Sequence, residues 1–279
     1  MDALLVVNKP QGLTSRDVVN KLNHIFSTKK IGHTGTLDPN ATGVLVCLIG
    51  KYTKLVESIT SYDKEYIAEI KLGIKTDTDD ITGNIIYEGN SNVTLDEIKR
   101  VLSTFPASYN QQVPIYSAVK INGKKLYEYA RENIDITLPK RKVNIYSLEL
   151  LSFKDNIITF KTKVSKGTYI RSLIQDICTN LNTIGTMNNL IRTKQGNFDI
   201  KDSYTLEEIE KGNYKLLNIK EFLSYPIIEL DDNLIKKVIN GSTIPNIYSI
   251  IDKVIFTYKS KDIAVYEIQE KELKPYIML

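Results

Sequence analysis

The sequence of 279 residues contains no tryptophan, two cysteines and two histidines. So few cysteines and histidines exclude a disulfide scaffold and a Cys/His zinc cluster. Cys47 and Cys178 lie in apolar stretches, so we expect both to be buried thiols. No apolar run reaches the roughly 18 residues of a membrane span, and Lys9 and Pro10 come too early for a signal peptide. The sequence predicts a reduced, soluble, cytoplasmic protein.

Arginine is also scarce, since it supplies only 6 of the 37 basic residues. The 33 acidic residues leave a net charge of +4, which is mildly basic. The apolar share of 42% and the charged share of 25% are those of an ordinary globular protein. The length fits one large domain, or one large and one small. Because lysine covers the bulk of the positive charge, each arginine is a candidate for a specific role.

Apolar periodicity predicts a mixture of helices and strands. Thr14 with Asp17, and Thr94 with Glu97, form capping boxes that predict helix starts, and a third helix is expected to begin at Thr168. Strands are predicted where β-rich or alternating segments occur, at 4–7, 66–72, 143–151 and 156–164. Residues 31–50 lack periodicity and carry four glycines, which predicts a long loop.

The pattern breaks at Tyr225-Pro226, and we place a domain boundary near residue 226. Beyond it, a short helix is expected from Asp231 to Asn240. Two β-like stretches follow at 248–257 and 262–268, so a small β-rich C-terminal domain is predicted.

The block 32–45 (GHTGTLDPNATGVL) carries the densest chemical signal. A Walker loop needs a glycine, four further residues and then Gly-Lys-Ser or Gly-Lys-Thr. Here six residues separate Gly43 from Gly50, and Lys51 is followed by Tyr52, so the block is not a Walker loop. Asp38-Pro39 alone would be typical of a turn. Its setting among small residues that would let a ligand approach the backbone, with His33 nearby, makes Asp38 a candidate catalytic residue.

Residues 77–88 imitate a calcium-binding loop only in part. The sixth place holds Thr82 where such a loop needs glycine, and the fifth holds Ile81 where it needs an oxygen ligand. A solvated hairpin turn is the better interpretation, and no metal is assigned.

Positive charge is concentrated in residues 120–142, which hold seven basic and three acidic residues. Tyrosines alternate there with Lys124, Lys125 and Arg131. A second basic cluster consists of Lys161, Lys163, Lys166 and Arg171. Either cluster alone is typical of a solvated surface, but two clusters with tyrosines fit a surface that follows a phosphate backbone. Arg171 is expected in the first turn of a helix, where the dipole disfavours a cation, so a carboxylate or phosphate partner is predicted.

These segments, taken in order, resemble the bacterial tRNA pseudouridine synthases of the TruB type. The resemblance covers most of the first 200 residues and rests on the following segments: Asn8-Lys9-Pro10, Gly12, Thr14-Ser15, 32–45, 64–66, 76–80, 116–120, 123–131 and 165–171. Only the block 32–45 is specific by itself. The other segments are weak signals alone, and they support the resemblance because they occur in the same order as in the family. Ile191 departs from the pattern, because the family usually carries two arginines after the leucine.

The resemblance implies a uridine isomerase that acts on the T-arm of tRNA, at position 55. It implies that Asp38 is catalytic, that Tyr66 stacks on the uracil, that Arg171 pairs with the aspartate and that Leu190 packs in the pocket. His33 would take the place of a base in the opened T-loop, and Tyr169 is placed with the substrate-binding residues. Lys124, Lys125, Arg131 and Lys166 are expected on the RNA backbone. No cofactor or metal is expected, since the isomerisation is redox-neutral, and a monomer is expected.

The implied architecture is the α+β pseudouridine synthase fold, with a mixed, mostly antiparallel central sheet flanked by helices and loops. Residues 1–226 would form the catalytic domain, with an RNA-contacting insertion at about 120–142. Residues 227–279 would form a short PUA-like C-terminal domain. Two alternatives remain: a guide-RNA-dependent synthase of a ribonucleoprotein, and a non-catalytic tRNA-binding folding helper.

Overall fold

The computed structural model describes all 279 residues. It contains eighteen strands, which are β1 Ala3–Lys9, β2 Ile31–His33, β3 Thr42–Ile49, β4 Lys64–Leu72, β5 Ile74–Thr76, β6 Ile85–Glu88, β7 Ser108–Gln112, β8 Lys120–Ile121, β9 Lys124–Lys125, β10 Lys140–Lys154, β11 Ile157–Val164, β12 Gly185–Gln195, β13 Phe198–Asp199, β14 Ile227–Glu229, β15 Ile244–Pro245, β16 Lys253–Tyr258, β17 Lys261–Gln269 and β18 Glu272–Met278.

Eight α-helices connect these strands. They are α1 Ser15–Ile25, α2 Val56–Thr60, α3 Leu95–Thr104, α4 Leu126–Arg131, α5 Ile170–Asn180, α6 Leu206–Glu210, α7 Ile219–Phe222 and α8 Leu234–Ile239. Short 3₁₀ helices occupy Gly50–Leu55 and Ile200–Asp202. The predicted capping boxes at Thr14 and Thr94 are present. No helix is both long and apolar enough to cross a membrane.

A nine-stranded sheet forms the centre of the molecule, in the order β1-β3-β12-β4-β11-β10-β7, with β2 paired to β3 and β13 to β12. Every pairing in it is antiparallel except that of β3 with β12. The predicted α+β class with a mostly antiparallel sheet is therefore confirmed. Helix α3 packs against β10 and helix α5 against β12, and both helices contribute to a core of 21 buried residues.

A second sheet of five strands, in the order β14-β16-β17-β18-β15, contains the chain from Ile227 onward. One face of this sheet contributes to a separate apolar core that includes Phe256 and Tyr266. Three of its residues, Ile255, Val265 and Ile277, share an apolar cluster with β1 and β3 of the central sheet. The predicted boundary near residue 226 falls between α7 and β14.

The long loop predicted for residues 31–50 is wrong. That segment holds β2 and β3, and β3 lies between β1 and β12 with Val44–Ile49 almost completely buried. A strand covered on both faces carries a continuous apolar run and does not alternate, so period-two reasoning missed it.

The C-terminal prediction was incomplete. The structure has a third long strand, β18, whose Pro275 and charged residues hid its strand character. The strand predicted at 248–257 begins only at Lys253, because Asn246 closes a turn by accepting a hydrogen bond from the Ile250 backbone.

Candidate active site

One cavity of about 460 Å³ brings together five of the residues that the sequence singled out, namely Asp38, Tyr66, Tyr169, Arg171 and Leu190. Its wall is built from the 35–38 loop, α2, strands β4 and β12, the 116–118 turn, α4 and the start of α5. The lining residues are Gly35, Thr36, Leu37, Asp38, Thr60, Lys64, Tyr66, Tyr116, Ser117, Ala118, Tyr127, Gly167, Thr168, Tyr169, Ile170, Arg171, Leu190 and Arg192.

Asp38 and Arg171 form a two-point ion pair in this wall. Arg171 Nε lies 2.9 Å from Asp38 Oδ2, and Nη2 lies 3.2 Å from Oδ1. The arginine side chain is 7% exposed, whereas that of the aspartate is 33% exposed. The buried arginine therefore fixes the carboxylate orientation, while part of the carboxylate stays open to the cavity.

Arg171 also donates two hydrogen bonds to backbone carbonyls. Its Nη1 donates to the Thr78 carbonyl at 3.2 Å, and Nη2 donates to the Tyr116 carbonyl at 2.8 Å. Arg171 is the second residue of α5, so it does stand in the first turn, and Asp38 supplies the carboxylate that its unfavourable position called for. It ties three separate segments of the chain to one point.

The loop that carries Asp38 is anchored by Lys9, which the sequence did not single out as a site residue. Lys9 is fully buried, and its Nζ donates to the carbonyls of Pro10, Pro39 and Ala41 at 2.9, 3.2 and 2.7 Å. Burial lowers the pKa of Lys9 to about 8, an effect that the nearby Asp38 carboxylate opposes. Two of these carbonyls, those of Pro39 and Ala41, belong to the loop that carries Asp38, so the ammonium leaves this loop little freedom.

Asn40 links the same loop to the turn that follows β5. It accepts a hydrogen bond from Gln11, and its Nδ2 lies 3.5 Å from Asp80 Oδ1. Asp80 also accepts from the backbone and hydroxyl of Thr82, at 2.9 and 2.7 Å. The predicted solvated hairpin turn is present, with Asp77, Thr82 and Asn84 exposed. Asp80 is the exception, because its buried carboxylate closes the turn and joins this network.

Tyr66 and Leu190 form the apolar side of the cavity. Tyr66 stands on β4 opposite Arg192 of β12, and Leu190 stands opposite Ala68, so all four side chains share one face of the sheet. Tyr66 and Leu190 are 7% and 5% exposed. A planar apolar ligand entering the cavity would meet a fixed aromatic ring and a fixed aliphatic side chain.

Arg192 is a second buried arginine that sequence reasoning missed. It is 1% exposed, and it donates from Nε to the Val44 carbonyl at 2.6 Å and from Nη2 to the Gly35 carbonyl at 3.1 Å. Gly43, with φ of +97°, lets β12 approach β3, since a Cβ there would collide with the Arg192 backbone. The glycine at position 43 thus makes room for a neighbouring strand, and the expectation that the small residues admit a ligand is wrong for this position.

Tyr169 caps α5 and contributes to the cavity wall. Gln111 brackets its backbone, accepting from the Tyr169 amide at 2.8 Å and donating to its carbonyl at 3.1 Å. The Arg141 guanidinium lies 5.6 Å from the centre of the Tyr169 ring. Gln111 therefore fixes the backbone of Tyr169, and Arg141 lies against its ring.

His33 does not line the cavity. It stands on β2 opposite Cys47 of β3, half-buried, and its Nδ1 accepts from the Gly35 amide at 3.4 Å. Burial lowers the pKa of His33, and the charges of Arg16 and Arg192 lower it further. The ring is accordingly neutral at pH 7.

The basic segment 120–142 begins with the β8–β9 hairpin and α4, which stand at the edge of the cavity. Leu126 is fully buried, and the neighbouring Tyr127 lines the cavity. Lys125 and Arg131 each lie 5.3 Å from the centre of the Tyr127 ring. Lys124 lies 4.9 Å from the Tyr129 ring and forms an ion pair with Glu132. This segment therefore joins the cavity to a charged surface.

The second basic cluster does not act as one group. Lys163 and Lys166 are exposed, whereas Arg171 is 6% exposed and paired with Asp38.

Lys64 is a further buried lysine in the cavity wall, and it donates to the Thr60 and Tyr62 carbonyls at 2.6 Å. Its burial lowers its pKa to about 8, and the charge of Arg192 lowers it further.

Chemically, the cavity offers one positioned carboxylate beside aromatic surfaces. Both cysteines are buried, and burial raises the pKa of Cys47 and Cys178 to about 12, so neither is a thiolate near pH 7. Asp38 is thus the cavity residue best placed to act as nucleophile or base.

Comparison with known sequences gives one consistent family. The profile described as TruB family pseudouridylate synthase (N terminal domain) matches residues 23–170. The chain is 43% identical over 267 residues to the tRNA pseudouridine synthase B of Caldanaerobacter subterraneus subsp. tengcongensis, covering 95% of this chain and 94% of that protein. It is 43% identical over 268 residues to the tRNA pseudouridine synthase B of Mesoplasma florum, with 95% and 93% covered.

Comparison with solved structures shows the shared fold. A chain in the crystal structure of a Cbf5–Nop10–Gar1 complex superposes with a TM-score of 0.74 at 23% identity, covering 99% of this chain and 84% of that chain. A chain in a structure of an H/ACA ribonucleoprotein bound to a substrate RNA containing 2′-deoxyuridine gives a TM-score of 0.70 at 22% identity, with 99% and 83% covered.

Proposed function

This chain belongs to the TruB family of pseudouridylate synthases, and we propose that Asp38 is its catalytic residue and a T-arm uridine of tRNA, at position 55, its target. The enzyme isomerises uridine to pseudouridine in tRNA. The observation that carries the assignment of Asp38 is its two-point pairing with buried Arg171 in a cavity lined by Tyr66 and Leu190.

The reaction breaks the C1′–N1 glycosidic bond, turns the uracil and joins C5 to C1′, with loss of the proton from C5 and uptake of a proton at N1. A carboxylate suits this sequence because it can attack or accept a proton and then leave. The Arg171 guanidinium holds this carboxylate through two hydrogen bonds and so fixes its orientation in the cavity that would receive the base.

The aromatic wall supplies the energy that opens the RNA. Extruding a base from its stack costs a few kcal/mol, and stacking on an aromatic ring returns about 1–3 kcal/mol. Tyr66 is the proposed stacking ring, Leu190 its apolar neighbour and Tyr169 a further substrate contact. His33, half-buried and neutral at the loop that leads to Asp38, is proposed to replace a base in the opened T-loop.

The RNA backbone is proposed to follow the surface that carries Lys124, Lys125, Arg131 and Lys166. Residues 1–226 serve as the catalytic domain and 227–279 as a short PUA-like domain. The enzyme acts as a cytoplasmic monomer without a metal or cofactor. The guided and non-catalytic alternatives are not favoured, since relatives above 40% identity are tRNA pseudouridine synthases B.

The test uses purified protein alone with a T-arm hairpin that is tritiated at C5 of its uridines. We expect release of one tritium per hairpin, because C5 exchanges its hydrogen for the bond to C1′. A matched hairpin with cytidine at the target position should release none. Release that requires an added guide RNA would support the guided alternative, and binding without release would support the folding helper.

A further inference from the structure

Ser117 occupies an unusual position in the cavity wall. The residue is 6% exposed, and its Oγ is buried without a hydrogen bond to any group of the protein. A buried hydroxyl left in this state costs free energy, so the great majority of such groups have a partner. Ser117 is also one of the residues that line the cavity around Asp38.

The hydroxyl is not needed to shape its own segment. The Ser117 amide donates to the Ile115 carbonyl at 2.9 Å, and its carbonyl accepts from the Tyr127 amide at 3.2 Å. The adjacent Leu126 amide donates to the Val119 carbonyl at 2.9 Å. Backbone hydrogen bonds therefore hold the turn, and the side chain is free to serve another purpose.

The position of Ser117 in the chain ties it to the proposed chemistry. The preceding residue, Tyr116, gives its carbonyl to Arg171 Nη2 at 2.8 Å, and Arg171 holds Asp38. The hydroxyl therefore stands one residue from the group that fixes the catalytic pair. A nucleotide that reaches Asp38 brings several acceptor oxygens into the same cavity.

We propose that Ser117 is a substrate-binding residue whose hydroxyl donates a hydrogen bond to an oxygen of the flipped nucleotide, either a uracil carbonyl or the ribose 2′-hydroxyl. This inference rests on the proposed function. Binding then supplies the partner that the hydroxyl lacks within the protein. Because the bond forms only with the nucleotide in place, its removal should weaken catalysis without weakening the fold.

The experiment compares wild type, Ser117→Ala and Ser147→Ala on the T-arm hairpin and in thermal unfolding. We expect Ser117→Ala to lower kcat/KM about five- to tenfold, the usual effect of losing one neutral hydrogen bond, with Tm equal to or above that of wild type. Ser147 is an exposed control outside the cavity whose hydroxyl accepts from the Lys163 amide at 3.1 Å. Its substitution should leave kcat/KM unchanged.

Substrate analogues identify the oxygen. Hairpins with 2-thiouridine, 4-thiouridine or 2′-deoxyuridine at the target position each remove one candidate acceptor. With one of them, Ser117→Ala and wild type should become equal. Equal kcat/KM on ordinary uridine, a lower Tm for Ser117→Ala, or a loss that persists with all three analogues would each overturn the proposal. Absence of turnover in wild type would instead overturn the proposed function itself.

Discussion

Two sides of the cavity are built on different principles. The sheet wall is formed by Tyr66, Leu190 and Arg192 of β4 and β12, together with Asp38 of the adjoining loop. It is held by buried contacts, and both of its charged groups have buried hydrogen-bond partners. The cover segment, residues 113–131, contributes Ser117 and Tyr127 to the cavity wall and carries Lys124 and Lys125 against tyrosine rings. We therefore propose that the sheet wall performs the chemistry and that the cover segment contributes recognition. Substitutions in the two regions should therefore affect different measured quantities.

Arg171→Ala should give the largest loss of stability. It leaves the Asp38 carboxylate unpaired, and breaking a buried ion pair typically costs 3–5 kcal/mol. We expect the low end of that range, since Asp38 keeps 33% of its surface exposed. Turnover and the free energy of unfolding should fall together in single-turnover assays and denaturant titrations. Lys163→Ala is the control, because Lys163 is exposed in the same basic stretch. Equal effects of the two substitutions would reassign Arg171 to a phosphate contact.

Tyr66 offers a way to separate stacking by its ring from proton handling at C5, in which we expect its hydroxyl to take part. Tyr66→Phe keeps the ring, so affinity for the hairpin should stay near that of wild type while single-turnover rates fall. Tyr66→Leu removes the ring and should weaken binding by about 1–3 kcal/mol as well. Wild-type turnover in Tyr66→Phe would show that the hydroxyl is dispensable.

Removing positive charge from the cover segment should weaken tRNA binding and leave the turnover of bound tRNA almost unchanged. Replacing Lys124, Lys125 and Arg131 together should weaken tRNA binding and flatten the log–log salt dependence. Each phosphate contact contributes roughly 0.7–0.9 to that slope. Because Glu132 already pairs with Lys124, we expect a change of about 1.5 to 2 units. Turnover of bound tRNA should change little. An unchanged slope would place these residues on a solvated surface that does not contact RNA.

The sequence predicted best those features that depend on neighbouring residues. Thr14 and Thr94 cap their helices through residues three positions away, and the alternation of 66–72 describes a strand with one buried face. Strand β3 escaped prediction because a strand buried on both faces has no alternation to detect.

The residues of the candidate site show the same difference between features set by neighbouring residues and features set by distant segments. Asp38, Tyr66, Arg171, Leu190 and Tyr169 meet in one cavity, although only resemblance to a family connected them beforehand. Lys9 and Arg192 were missed as site residues because their roles depend on carbonyls from distant segments. A fully buried lysine or arginine gives no local signal, since sequence spacing does not reveal which backbone groups will surround it.

The most direct test of whether chemistry and binding are divided between the two sides of the cavity is the substitution Asp38→Asn. It is measured in parallel for hairpin affinity and for tritium release in a single turnover. The substitution keeps the shape of the side chain and removes its charge and nucleophilicity. We predict that release becomes undetectable while affinity stays within about tenfold, roughly 1.4 kcal/mol. Near-normal release would contradict the account, since it would remove Asp38 from the chemistry. A loss of affinity as large as the loss of turnover would show that chemistry and binding are not divided between the two sides of the cavity.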